Sequence, residues 1–142
     1  MATVRQLLES KGRDVWSIDP GGTVFEAIKL MAEKRIGALL VMRGEKLVGI
    51  VSERDYARKV ILQGKSSDGT PVEEIMTASV LCAHSGQTVE ECMALMTDKR
   101  IRHLPVVHDD QVEGMISIGD LVKSIIAEQK FVIEQLEHYI SG

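Results

Sequence analysis

The chain has 142 residues, a formal net charge of −4, 44% hydrophobic residues and 27% charged residues. This length and composition are typical of an ordinary globular protein and exclude a disordered or fibrous chain. The 17 Lys and Arg are scattered among 21 Asp and Glu, so no basic face indicates binding to nucleic acid. No apolar run reaches the roughly 18 residues of a membrane span. We therefore expect neither membrane insertion nor a signal peptide, and the cytosol is the expected compartment.

The two cysteines, Cys82 and Cys92, have neither CxxC spacing nor a cluster of histidines beside them. This pattern argues against a disulfide framework and against a zinc site. We therefore expect two buried thiols, no bound metal and no catalytic cofactor.

The first predicted elements are a helix within residues 1–10 and a short strand over 15–18. Thr23 then begins a second helix as its N-cap, with Glu26 as the capping-box partner. The apolar residues that follow recur at intervals of three and four, which predicts a helix with one buried face.

Two apolar runs come next, at 38–42 and 47–51, and predict a hairpin. Ser52 is the predicted N-cap of a further helix that reaches about Ile61. Asp55 lies at the third position of this helix, where a carboxylate complements the helix dipole.

A polar stretch at 65–71 has turn-forming composition and is the predicted linker. Residues 1–64 then form the first unit together with its N-terminal helix, and 72–127 form the second unit. Residues 128–142 form an amphipathic helical tail that is suited to contact with a partner.

The chain contains an internal repeat, which indicates two copies of one structural unit. Residues 23–58 and 88–123 align without a gap and are identical at 13 of 36 positions. Each unit is predicted as strand, helix, strand, strand, helix, with 80–83 as the counterpart of the strand at 15–18, and the fold class is α+β. Both copies carry the motif Gly-x-x-Ser-x-x-Asp, at Gly49, Ser52 and Asp55 and at Gly114, Ser117 and Asp120.

Each motif places the end of a strand beside the start of a helix, where backbone N–H groups favour an anion such as phosphate. The Ser hydroxyl can donate to a phosphate oxygen, and the Asp can accept both hydroxyls of a ribose. Alternatively, Ser52 and Ser117 only cap their helices and Asp55 and Asp120 only complement the dipole. Repetition of the whole spacing in two diverged copies favours a nucleotide site.

With these two motifs the chain resembles a tandem pair of CBS domains over about residues 3–127. The resemblance implies two β-α-β-β-α units packed with pseudo-twofold symmetry, and two clefts between them that bind AMP, ADP, ATP, NAD(H) or S-adenosylmethionine. It also implies that the motif Asp holds the ribose hydroxyls and the motif Ser contacts phosphate. These roles carry over to Asp55 with Ser52, and to Asp120 with Ser117.

The strand before the hairpin turn lines the cleft in such pairs, and the two copies differ there. Gly37 and Ala38 offer space without charge, whereas Arg102 and His103 match positions where relatives place basic residues on phosphate. Arg54 either adds a phosphate contact to the first motif or belongs to a solvated helix face. The two sites are therefore expected to differ in ligand preference. The remaining candidates for nucleotide contact are Ile18, Leu39, Leu104 and Pro105.

The leading hypothesis is a regulatory module that binds AMP, ATP or NAD(H), forms a homodimer and passes its ligand state to an unidentified partner protein. One alternative is a structural dimerisation module without ligand. The other is an enzyme that acts on a nucleotide with Asp55 or Asp120 as general base. No catalytic residue is predicted, because Ser52 lacks the Gly-x-Ser-x-Gly turn of a hydrolase nucleophile.

Overall fold

The structure is a computed structural model and describes residues 2–141. Within that range the chain forms a mixed α+β fold with five α-helices and two small sheets, as the sequence predicted. The elements in chain order are α1 (Val4–Lys11), β1 (Ser17–Ile18), α2 (Val24–Lys34), β2 (Ala38–Arg43), β3 (Lys46–Ser52), α3 (Glu53–Tyr56), a π-helical segment (Ala57–Ile61), a 3₁₀ turn (Val72–Glu74), α4 (Val89–Lys99), β4 (His103–His108), β5 (Gln111–Ser117) and α5 (Ile118–Ser141).

These elements form two compact bodies. The first-repeat body comprises residues 15–81 and 109–112, and the second-repeat body comprises residues 2–14, 82–108 and 113–141. Helix α1 therefore packs with the second repeat, and the polar stretch predicted as a linker packs with the first. The predicted unit boundaries describe the sequence repeat and stay a prediction.

The sheet of the first-repeat body has the strand order β1-β2-β3. Strand β2 pairs in parallel with β1, where Ser17 lies opposite Leu40, and antiparallel with β3, where Ala38 lies opposite Ser52. The first four residues of β2 are all buried, as expected of a strand covered on both faces. The core of this body consists of Val24, Ala27, Met31, Leu39, Val41, Val51, Val60, Val72 and Ile75.

The second-repeat body contains β4, residues 113–117 of β5 and a core to which α1 contributes. The buried residues of this core are Val4, Leu7, Leu8, Ala83, Val89, Cys92, Met96, Leu104, Val106, Ile116 and Leu121.

The prediction of a strand at 80–83 is wrong for residues 80–82, and only Ala83 pairs with a strand. Ala83 makes a single parallel bridge to Val106, and residues 80–82 belong to no strand. Leu81 and Cys82 are exposed, so this segment lacks the buried face that favours a strand. The expectation of two buried thiols is likewise wrong for Cys82 and correct for Cys92.

A short segment leads into each repeat, and each of these leading segments packs in the body of the other repeat. Residues 2–11 lead the first repeat but lie in the second-repeat body. There the N–H of Val4 donates to the Gln87 carbonyl at 2.8 Å, and the N–H of Val89 donates to the Ala2 carbonyl at 2.9 Å.

Residues 70–77 lead the second repeat and make the equivalent bonds in the first-repeat body. The N–H of Val72 donates to the Gly22 carbonyl at 2.8 Å, and the N–H of Val24 donates to the Thr70 carbonyl at 2.9 Å. The two bodies therefore bind their leading segments through the same main-chain pattern.

The motif glycines are explained by these leading segments. A Cβ atom on Gly49 would lie 2.5 Å from Met76 Sδ and 3.1 Å from the Thr77 carbonyl oxygen. A Cβ atom on Gly114 would lie 2.8 Å from Leu8 Cδ2. At both motifs the glycine leaves room for the leading segment, which passes over the strand with main chain and side chain at Gly49 and with the Leu8 side chain at Gly114.

The predicted N-caps of the two repeated helices are confirmed. Thr23 Oγ1 accepts the N–H of Glu26 at 3.1 Å, and Thr88 Oγ1 accepts the N–H of Glu91 at 3.1 Å. Thr88 and Glu91 also form the reverse bond and so close a full capping box.

Helix α5 continues without interruption from the second motif into the predicted tail and has 24 residues. No helix in the described part of the chain combines the length and the apolar composition that crossing a bilayer requires. Residue 142, the last of the predicted tail, lies outside the described residues.

Candidate functional site

The first motif joins the end of β3 to the start of α3. Ser52 has extended backbone angles, φ −129° and ψ 166°, which suit an N-cap residue. Its Oγ accepts the N–H of Asp55 at 3.2 Å, and its own N–H donates to Asp55 Oδ2 at 2.9 Å. The predicted cap is confirmed, and the Asp55 carboxylate is fixed against the end of the strand.

The second motif repeats this arrangement between β5 and α5. Ser117 Oγ accepts the N–H of Asp120 at 3.1 Å, and the Ser117 N–H donates to Asp120 Oδ2 at 2.8 Å. In both copies the serine N–H binds one carboxylate oxygen, and the serine Oγ accepts the aspartate N–H.

A main-chain bond brings the start of the preceding strand against each motif. The N–H of Glu53 donates to the Gly37 carbonyl at 3.1 Å, and the N–H of Ile118 donates to the Arg102 carbonyl at 2.9 Å. Gly37 and Arg102 therefore lie beside Ser52 and Ser117, and their contact with a ligand stays a prediction.

The other candidate residues separate into buried and accessible sets. Ala38, Leu39, Leu104 and Pro105 are buried, so they can offer a ligand main-chain groups rather than side-chain surface. Ile18 and His103 are half-buried, and Arg54 and Arg102 are exposed.

A lysine binds each motif carboxylate. In the first motif, Lys59 Nζ lies 3.1 Å from Asp55 Oδ1 and donates to the Ile75 carbonyl at 2.9 Å. Lys59 follows Asp55 by four residues, one turn further along the helical segment.

In the second motif the lysine comes from α1. Lys11 Nζ lies 2.5 Å from Asp120 Oδ2 and donates to the Met115 carbonyl at 2.8 Å. The Lys11 side chain is 36% exposed and that of Asp120 is 20% exposed, so water screens this ion pair only in part.

The surroundings of the second motif shift the pKa values of two of its residues. Burial raises the pKa of Asp120, but hydrogen bonds from Lys11 and from the Ser117 backbone, together with the Lys11 charge, hold it below its usual value. Burial lowers the pKa of His103, and the charges of Lys11 and Arg102 act in the same direction, against the opposite effect of Asp120. A neutral imidazole therefore stands near an ionised carboxylate.

Sequence reasoning missed both lysines. Lys59 had a local signal, because a cation four residues after an acid on a helix lies on the same face. Lys11 had no such signal, since it is separated from Asp120 by 109 residues.

Each motif thus combines three groups: a half-buried carboxylate that can accept hydrogen bonds from hydroxyl groups, a serine hydroxyl, and a lysine ammonium bound to the carboxylate. Such a set can bind a ligand that has several hydroxyl groups and a negatively charged group. In the described part of the chain, no group of three or more His, Cys, Asp or Glu residues is arranged to hold a metal ion.

The family model described as "CBS domain" matches the chain twice, over residues 4–61 and 72–127. The chain belongs to the CBS domain family. The resemblance drawn from the two motifs is therefore confirmed, and the chain is a tandem CBS pair.

Relatives of high similarity are CBS-domain proteins as well. The CBS domain-containing protein CBSX3, mitochondrial, of Arabidopsis thaliana is 40% identical, over 99% of this chain and 72% of its own length. The solved structure of a CBS-domain protein from Burkholderia ambifaria MC40-6, assigned to signal transduction, has a TM-score of 0.88 and 56% identity over 90% of this chain and 96% of that one.

A ligand is present in a further CBS pair, protein MJ0100, whose structure contains 5′-methylthioadenosine and S-adenosyl-L-methionine. It has a TM-score of 0.81 and 27% identity, and the match covers 90% of this chain and 98% of that one. CBS pairs of this kind are regulatory proteins, and one of them binds adenosine-containing ligands.

Proposed function

We propose that this CBS pair is a regulatory module that binds adenine nucleotides, AMP, ATP or NAD(H), at its two motifs and passes its ligand state to a partner protein. The observation that carries the proposal is the Ser–Asp pair at each motif. In both copies a hydrogen bond from the serine N–H orients a half-buried carboxylate that can accept hydrogen bonds from ribose hydroxyls.

The charges around each motif support an anionic ligand. Lys59 lies at the first motif, and Lys11 and the exposed Arg102 lie at the second. Arg54 is exposed in the first turn of α3, where a phosphate contact is open to it. Because the net charge of the chain is −4, these local cations rather than the overall field would attract a nucleotide.

Isothermal titration calorimetry tests the proposal on the purified, nucleotide-stripped protein with AMP, ATP, NAD and NADH. We expect saturable binding that is weakened at one motif by Asp55→Asn and at the other by Asp120→Asn. Glu53→Gln and Asp98→Asn are the matched controls, because each removes one exposed negative charge without touching a motif hydrogen bond. No binding of any nucleotide to folded protein would leave the structural dimerisation module as the function.

Transmission to a partner requires that the ligand favour one of two arrangements, with a typical coupling of about 1–3 kcal/mol. We propose that the chain forms a homodimer and that the tail carries part of this contact. Five large hydrophobic side chains of the tail are more than half exposed, namely Phe131, Ile133, Leu136, Tyr139 and Ile140.

Light scattering tests the homodimer at micromolar concentration, with a monomer mass of 15.7 kDa as the reference. We expect the full chain to give twice that mass and truncation after Ala127 to reduce it. A monomer for the full chain would contradict the proposal.

The Arabidopsis relative is a mitochondrial protein by name, and the cytosolic location of this chain stays a prediction.

A further inference from the structure

The ammonium of Lys11 lies directly against the second motif. It lies 2.5 Å from Asp120 Oδ2, and the same oxygen accepts the Ser117 N–H at 2.8 Å. Because Lys11 and Ser117 share one acceptor atom, the cation lies at the start of α5, beside the serine proposed to contact phosphate.

The position of this cation is set by the fold of α1. Lys11 is the last residue of α1, and the N–H of Gly12 closes the helix by donating to the Leu8 carbonyl at 2.8 Å. Leu8 itself is fully buried in the second-repeat body. The base of the Lys11 side chain is therefore fixed, and the ammonium can move only within the reach of that side chain.

A ribose that binds Asp120 competes with Lys11. A carboxylate oxygen offers about two lone pairs, and Asp120 Oδ2 already accepts two hydrogen bonds. Two ribose hydroxyls that donate to both carboxylate oxygens therefore displace the ammonium from Oδ2.

The displaced ammonium is partly exposed, so water compensates part of the lost interaction and a new anionic partner would compensate the rest. A phosphate at Ser117 supplies that partner within reach of the same side chain. A neutral nucleoside supplies none, and an adenosyl sulfonium adds a second positive charge.

We propose that Lys11 determines the specificity of the second motif and selects adenosyl ligands that carry phosphate over neutral or cationic ones. This inference rests on the proposed function and names the ligand class of one of its two sites. The lysine of the first motif is placed differently. Lys59 binds Asp55 Oδ1, the oxygen not used by the Ser52 N–H, and lies one turn away from the start of the helix.

Calorimetry with two probes, AMP and adenosine, tests this selection on the full chain. All variants carry Asp55→Asn, which weakens the first motif, so that the measured binding comes from the second motif. The heat that disappears when Asp120→Asn is added to a variant is the part due to the second motif. Lys11→Met removes the cation at similar length, Lys11→Arg retains it, and Lys99→Met removes an exposed lysine of α4 as the matched control.

With Lys11→Met we expect adenosine to bind about threefold more tightly, since its competitor is gone, and AMP to bind about threefold more weakly. The ratio of AMP to adenosine affinity then falls about tenfold. Lys11→Arg and Lys99→Met are expected to keep the ratio of AMP to adenosine affinity that the Asp55→Asn protein shows.

The ratio separates specificity from a structural role, because damage to the fold weakens both ligands together. An unchanged ratio in Lys11→Met, or the same change in Lys99→Met, would overturn the inference while leaving the nucleotide site intact. If neither probe binds through Asp120 in any variant, the proposed function fails at this motif and the inference fails with it.

Discussion

The two motif sites are alike in their main-chain geometry and differ in the origin of the lysine that binds the carboxylate. Asp55 is bound by Lys59 of its own helical segment, four residues away, whereas Asp120 is bound by Lys11 from α1, 109 residues away. A local motif therefore fixes the carboxylate, but the leading segment decides its electrostatic partner at only one of the two sites.

The leading segments also cover the strands differently. In the first-repeat body, Ile50 and Thr77 exchange two main-chain hydrogen bonds of 3.0 and 2.9 Å. At Met115, which matches Ile50 in the repeat, the carbonyl instead accepts the Lys11 ammonium at 2.8 Å. A side chain can leave its acceptor without unfolding the backbone, so the displacement proposed for Lys11 does not require the leading segment to unfold.

The largest effect is expected from shortening the Leu8 side chain, which belongs to the leading segment (residues 2–11) that packs in the second-repeat body. Leu8 is fully buried, so Leu8→Ala should lower the free energy of unfolding by about 2–5 kcal/mol. Met76, its counterpart in the first-repeat body, is half-buried, and Met76→Ala should have a smaller effect. Urea unfolding of the two variants measures the difference, and equal losses would contradict it.

The motif glycines should differ in the same measurement. Gly49→Ala brings a Cβ against the Thr77 main chain, which cannot move without breaking the bridge to Ile50, and should cost about 3 kcal/mol. Gly114→Ala meets only the end of the Leu8 side chain and should cost about 1 kcal/mol. In the Leu8→Ala background the cost of Gly114→Ala should fall further, because the clashing atoms are gone.

A pH-dependent difference between the motifs should follow from His103, whose counterpart in the first repeat is Ala38. Burial lowers the pKa of His103 in the folded protein, so the unfolded chain binds the proton first as the pH falls. The folded state should therefore lose stability as the pH falls below about 6.5, the ordinary pKa of histidine.

Urea unfolding at pH 7.5, 6.5 and 5.5 measures this loss, which His103→Gln should reduce. The groups near the imidazole are Asp120, Lys11 and Arg102. In this pH range the pKa of Asp120, which lies below its usual value, keeps that carboxylate ionised, so it does not contribute to the change. A profile unaffected by His103→Gln would contradict the assignment.

The smallest effect is expected from the lysines. Both side chains are partly exposed, 36% for Lys11 and 45% for Lys59, so removal of either pair should cost about 0.2–1 kcal/mol. Lys11→Met should cost more than Lys59→Met, because the Lys11 ammonium lies closer to its carboxylate, 2.5 Å against 3.1 Å, and its side chain is less exposed. The difference should shrink in about 1 M salt, which screens exposed pairs, and persistence there would indicate packing instead.

Much of the fold could be predicted because its signals are local. The caps at Thr23, Thr88 and Ser52 follow from a hydroxyl residue just before a helical pattern, and the repeat doubled each signal. The predicted strand at 80–83 failed because its apolar residues lie at the surface beyond a single bridge. Nothing in a short apolar run distinguishes that placement from a buried strand.

The sequence by itself determined the CBS family, the two motifs and the orientation of their carboxylates, because each of these depends on residues within one turn of a helix or one strand end. Only the tertiary structure decided that α1 packs with the second repeat and that Lys11 binds Asp120. That contact depends on bringing together residues 109 positions apart, and the energy for it comes from burying Val4 and Leu8 rather than from any local pattern.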